Sequence, residues 1–134
     1  MIFHINRATL KPTTTAEQVE TALAGWRTMG QSIPSVRSYI VGRDHGGDYA
    51  YSCVFVLENL EGLFEYLTHP ATYATDAIGL ELVERLDIFD ISDDDDPELG
   101  AKIVELHRRR NEANPTIADL LGGVPTFHGA GLES

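Results

Sequence analysis

The sequence predicts an α+β fold in which four strands and two helices run in the order β-α-β-β-α-β over residues 1–91, followed by a helical extension over 92–134. Three observations predict it: strand-like alternation from Ile2, a helical stripe after Thr14, and an acidic joint at Asp93–Asp96 where the composition changes.

Residues 2–10 alternate, with Ile2, His4, Asn6 and Ala8 on one face and Phe3, Ile5, Arg7 and Thr9 on the other, until Lys11 and Pro12 end the strand. Thr14 and Glu17 stand at capping-box spacing, which predicts a helix start. Val19, Ala22, Leu23, Trp26, Met29 and Ile33 then follow as one apolar stripe, closed at Pro34 because the residue before a proline is pushed out of the α region.

Val36–Arg43 and Tyr49–Leu57 read as two strands of an antiparallel hairpin joined by the turn-rich Asp44-His45-Gly46-Gly47-Asp48. In the second of them Tyr49, Tyr51, Cys53, Phe55 and Leu57 share one face and Ala50, Ser52, Val54 and Val56 the other. Both faces are apolar, so both need a cover, and helices supply only one. A second copy of the chain is the simplest cover for the other, which predicts a homodimer through the sheet faces.

Asn59 is placed to cap a short helix that buries Leu60, Leu63, Phe64 and Leu67, with a break at His69 before Pro70. Residues 71–81 are expected to hold a helical turn or two, and Val83–Ile91 the fourth strand. Beyond the aspartates, Pro97 marks a helix start and Leu99, Ile103 and Leu106 a buried stripe, with Arg108, Arg109 and Arg110 complementing the dipole at its end. A second small helix runs from Pro115 to Leu121, Gly122 and Gly123 end it, and 124–134 reads as an extended tail. The segment from Leu99 to Leu121 is expected to lie across a partner protomer or over a pocket mouth.

A chain of 134 residues suits one domain, and a net charge of −11 with a pI near 4.7 repels phosphate backbones and anionic lipid. The three clustered arginines are too few to reverse that, so neither nucleic acid nor a membrane is expected as a partner. Cys53 stands alone and excludes an internal disulfide. With no basic and apolar leader pattern in Met1–Leu10, a cytoplasmic protein is expected.

His4 is the most informative single residue, because a mid-strand imidazole beside Asn6 needs a partner once buried. It serves either as a satisfied core histidine or as a base or ligand-orienting group. Tyr51 and Tyr66 can each offer a phenol to a ligand or sit as amphipathic tyrosines at the sheet. His69 before Pro70 reads as a helix-ending residue whose side chain bonds backbone carbonyls. The histidines at 4, 45, 69, 107 and 128 show no metal-ligand spacing, and the aspartate run lacks the glycine and distal glutamate of a calcium loop. Gly46-Gly47 and Gly122-Gly123 lack the strand-to-helix setting of a phosphate cradle. No metal and no cofactor are expected.

The early strand histidine, the Ile33-Pro34 helix end, and above all Tyr66-Leu67-Thr68-His69-Pro70-Ala71 followed by Leu86-Asp87-Ile88-Phe89-Asp90 resemble the stress-responsive dimeric A/B-barrel (Dabb) family over residues 2–91. The resemblance implies a ferredoxin-like, dimeric α/β barrel whose protomers each keep a cavity between sheet and helices. It also implies a distant similarity to plant olivetolic acid cyclase, a cofactor-free polyketide cyclase. In that comparison Tyr66 matches the helix tyrosine and His4 a pocket histidine, Tyr51 stands where the cyclase has a strand histidine, and Thr72 occupies the position of its base. A threonine there cannot abstract a carbon-bound proton at neutral pH.

The primary expectation is therefore a homodimer that binds a small aromatic or polyketide-like molecule, with Asn6, Tyr51, His69, Thr72 and Tyr73 as ligand contacts. A cofactor-free cyclase or isomerase, using Tyr66 for an oxyanion and His4 as base, is the alternative. A small barrel monooxygenase is a further one.

Overall fold

The computed structural model describes residues 1–130. Strand β1 (Ile2–Leu10) leads into helix α1 (Ala16–Ser32), then β2 (Val36–Arg43), β3 (Tyr51–Leu57), α2 (Leu60–Thr68) and α3 (Pro70–Gly79). A 3-10 turn at Leu80–Leu82 precedes β4 (Val83–Ser92), and α4 (Leu99–Ala113), α5 (Pro115–Gly122) and β5 (Thr126–Gly129) complete the chain. This is the ferredoxin-like α+β fold with one sheet in the order β2-β3-β1-β4-β5.

Local chemistry sets the helix ends. Thr15 caps α1 rather than Thr14: its hydroxyl accepts from the Gln18 amide at 3.1 Å while the Gln18 side chain accepts from the Thr15 amide at 2.9 Å. The box is one residue later than Thr14 and Glu17 suggested, because glutamine serves at its third position as well as glutamate. Asn59 caps α2 by accepting from Gly62 at 2.9 Å. The stretch expected to hold a turn or two is a full ten-residue helix. His69 starts it, its Nδ1 accepting from the Ala71 amide at 3.0 Å, so the imidazole caps the following helix instead of bonding the carbonyls of the one it ends.

β1 pairs antiparallel with β3 and β4, placing Ile2, His4, Asn6 and Ala8 on the helix-covered face. Tyr49 lies just outside β3, which starts two residues later than its alternation implied; its ring lies 4.3 and 5.0 Å from the Arg7 and Arg85 guanidinium carbons. α1 reaches β2 closely at Gly30, where any Cβ would fall 2.4 Å from the Tyr39 ring.

The C-terminal segment joins the same core. Ile103 and Leu106 of α4 pack with Ile2, Met29, Phe55, Leu57 and Leu63, while Ile117, Leu121 and Val124 pack with Ala8, Leu80, Leu86 and Ile88. Residues 126–129, expected as tail, form β5 parallel to β4, with α4 and α5 as the crossover. Pairing satisfies an edge whose amides would otherwise stand open. Gly129 permits it, since a Cβ there would meet the Ile88 carbonyl oxygen at 2.3 Å. The rest of the predicted tail, 131–134, lies outside the described residues.

Among the described residues the opposite sheet face carries no helix, and it exposes Phe3, Ile40, Phe89 and Ile91. At one end of it Arg7 forms a two-bond fork with Asp44 at 2.8 and 3.0 Å, and this guanidinium with the Ser52 hydroxyl holds the Asp44 carboxyl down to about 2.

Candidate functional site

Between sheet and helices the two apolar clusters leave a pocket, and residues of both line it. Its volume open to the centre of a water molecule is about 70 Å³. One water requires roughly 10–15 Å³, so the space exceeds a single structural water. Most of the wall is aliphatic, from Leu23, Met29, Leu80, Val83, Leu86 and Ile88; the polar groups are few.

On the sheet wall, neighbouring strands β1 and β4 bring His4 opposite Asp90. Nδ1 of His4 lies 2.8 Å from the Asp90 carboxylate, with side-chain exposures of 2% and 8%. An ionised carboxylate only accepts, so Nδ1 donates, and in the neutral ring Nε2 is then the accepting nitrogen. The Tyr66 ring meets His4 edge-on at 5.1 Å. Burial raises the Tyr66 phenol well above its ordinary pKa, with the Asn6 amide offsetting this only in part, so the phenol is a donor rather than a phenolate. Asn6 also donates to the Cys53 sulfur at 3.5 Å, and burial raises that thiol, leaving it unreactive.

On the helix wall stand His107 and Arg110 of α4 and Asp76 of α3. His107 is 1% exposed, and burial, with His4 and Arg110 nearby, pushes it down to about 2, so it is neutral. An arginine nitrogen approaches its Nδ1 at 3.4 Å, and its Nε2 has no hydrogen-bond partner among the described residues. Arg110 is 3% exposed and bonds Asn111 at 2.8 Å, but it forms no ion pair among the described residues. Burial pushes the Asp76 carboxyl up to about 6, with Arg110 and His4 pulling the other way. The ligand atoms of His4, Asp90 and His107 come within 4.8 Å of one another, a cluster that sequence spacing gives no hint of.

Of the residues singled out from sequence, the structure brings His4, Asn6, Tyr51, Tyr66 and Thr72 to this pocket. Thr72 is spent on its own helix junction, donating to the Tyr66 carbonyl at 2.5 Å. His69 and Tyr73 are not among the lining residues, the first serving as a cap and the second packing on the Leu80 and Leu121 cluster. Sequence reasoning missed Asp76, Asp90, His107 and Arg110. The basic run divides three ways: Arg108 pairs with Glu105 and Glu112 in solvent, Arg109 covers the Phe64 ring at 4.3 Å, and Arg110 turns inward. A helical count from Ile103 and Leu106 puts position 110 on the buried face, and that was the available signal.

The family description "Stress responsive A/B Barrel Domain" (Dabb) matches residues 2–93, and the chain belongs to this family. Among solved structures, a dimeric ferredoxin-like protein of unknown function from Thermobifida fusca is 26% identical, with a TM-score of 0.62, over 68% of this chain and 89% of its own. A Dabb family protein from Mesorhizobium loti is 19% identical with a TM-score of 0.61, over 68% and 94%. A hydroxynitrile lyase from Passiflora edulis shares the fold at 12% identity and a TM-score of 0.62, over 69% and 94%. No curated protein matches the chain. No helix among the described residues is long and apolar enough to cross a membrane.

Proposed function

We propose that this Dabb protein is a homodimer that binds a small, mostly apolar molecule, aromatic or polyketide-like, in the pocket between its sheet and helices. The observation that carries the reading is a largely aliphatic chamber containing a few buried polar groups, the usual make-up of a small-molecule site. Self-association is supported by the bare outer sheet face, where Phe3, Ile40, Phe89 and Ile91 are 40–67% exposed. The Thermobifida fusca relative is described as dimeric.

A second reading, cofactor-free proton transfer on the bound molecule, is favoured by the His4–Asp90 pair at 2.8 Å. A carboxylate that fixes the imidazole tautomer and leaves Nε2 as acceptor is the arrangement a general base requires. Tyr66, kept protonated, would donate to the oxygen where charge develops, and Thr72 takes no part.

The test is a thermal-shift screen of the dimer against aromatic acids and polyketide-like lactones, repeated on Tyr66→Phe and on Ile91→Glu. A ligand at about 100 times its dissociation constant adds roughly 2.7 kcal/mol, several degrees in a domain of this size. A shift weakened in Tyr66→Phe, and a monomer on sedimentation of Ile91→Glu, are the expected results. No shift with any compound and an unchanged dimer would overturn the reading. Solvent deuterium entering the bound molecule, and lost in His4→Gln, would separate catalysis from binding.

A further inference from the structure

The hydrogen-bond state of His107 narrows the kind of ligand. Its Nδ1 faces the Arg110 guanidinium at 3.4 Å, and a guanidinium can only donate. Nδ1 must therefore be the accepting nitrogen, and the single proton of the neutral ring sits on Nε2. That Nε2–H is buried with no acceptor among the described residues. A buried donor without a partner is costly, and such groups are retained where something outside the chain completes them. Beside it Arg110 holds a full positive charge at 3% exposure with no ion pair among the described residues. Asp76 lines the same pocket, and although its field reaches Arg110 the two form no ion pair. Two adjacent buried donor groups, one of them cationic, lie together in a wall where Asp76 is the one carboxylate among the described residues and most other lining is apolar.

We propose that His107 and Arg110 form an anion clamp, and that the pocket ligand is an apolar molecule bearing a carboxylate or an equivalent delocalised oxyanion held by the His107 Nε2–H and the Arg110 guanidinium. This rests on the small-molecule reading above and specifies its substrate class. Both clamp residues come from α4, beyond the residues 2–93 that define the family, so the clamp is an addition of this chain's own C-terminal segment. The same proton placement opposes the other use of the His4, Asp90 and His107 cluster. A divalent cation needs the Nε2 lone pair, and the neighbouring guanidinium repels it.

The experiment is calorimetric titration of the full-length protein at pH 7 with two matched probe pairs, phenylacetate against phenylacetamide and octanoate against octanamide, together with Zn²⁺ alone. The acid of at least one pair is expected to bind ten times or more tighter than its amide. Arg110→Met should erase that preference, and Arg110→Lys should keep part of it. Equal affinity of the wild type for acid and amide would overturn the clamp while leaving the pocket reading intact, and this comparison needs no variant to fold. Micromolar Zn²⁺ binding that disappears in His107→Leu would also overturn it, because it would put the lone pair on Nε2. If no member of either pair binds, the pocket reading fails and the clamp fails with it.

Discussion

On the sheet side of the pocket His4 has its Nδ1 held by Asp90 at 2.8 Å, whereas on the helix side the equally buried His107 leaves Nε2 without a partner among the described residues. The two imidazoles sit 6.0 Å apart, ring centre to ring centre, yet one wall is internally satisfied and offers a lone pair while the other is unsatisfied and offers a proton. The difference teaches what each wall is for. Pairing His4 contributes to the fold and fixes its imidazole; leaving His107 unpaired costs stability, a cost that the proposed ligand would offset.

The same substitution on the two walls should therefore act in opposite directions. His4→Leu strands the nearly buried Asp90 carboxylate, and losing one partner of a buried pair costs about 3–5 kcal/mol. Urea unfolding of the variant should show it as a lower midpoint at unchanged slope. A loss under about 1 kcal/mol would mean that the pair contributes little.

The next effect lies in the pH dependence. His107 stays neutral in the fold down to about 2 against an ordinary value of 6.5, so its contribution is present above 6.5 and is lost as pH falls. Asp76, raised from 3.8 to about 6, works the other way, because the folded form takes up the proton first and is favoured as pH falls from 6 to 3.8. Between those limits the two slopes oppose each other. Asp76→Asn removes the second, so the variant should lose about 1.4 kcal/mol per pH unit on going from about pH 6 to 4 while the wild type changes much less. Parallel curves for the two proteins would show that Asp76 is not enclosed as described.

The smallest effect is His107→Leu in the ligand-free protein. Removing an unsatisfied buried donor should be neutral or stabilising by about 1 kcal/mol, offset in part by the acceptor Arg110 loses. A melting point lowered by more than a few degrees would indicate that Nε2 has a partner in solution.

The fold was legible in the sequence because its elements are periodic. The alternation of Ile2, His4, Asn6 and Ala8 and the stripe from Val19 to Ile33 each name the face that is buried. Strand β5 was not legible, since the four residues Thr126–Gly129 are too few for a periodic signal and are recruited by the open edge of β4. The site was half legible. His4, Asn6 and Tyr66 stand out by type and by resemblance, while Asp90 became the partner of His4 only through the β1–β4 register. Arg110 was hidden inside a run of three arginines that reads as a solvated helix end, and only one of the three turns inward. His107 carries its chemistry through where its neighbours lie, which no spacing along the chain records.

The most direct test of the two-walled pocket is the tautomeric state of these histidines, read from long-range ¹H–¹⁵N imidazole correlations of the ligand-free protein at pH 8. The structure requires His4 with its proton on Nδ1 and His107 with its proton on Nε2. Finding both rings in the same tautomer, or His107 protonated on Nδ1, would contradict it.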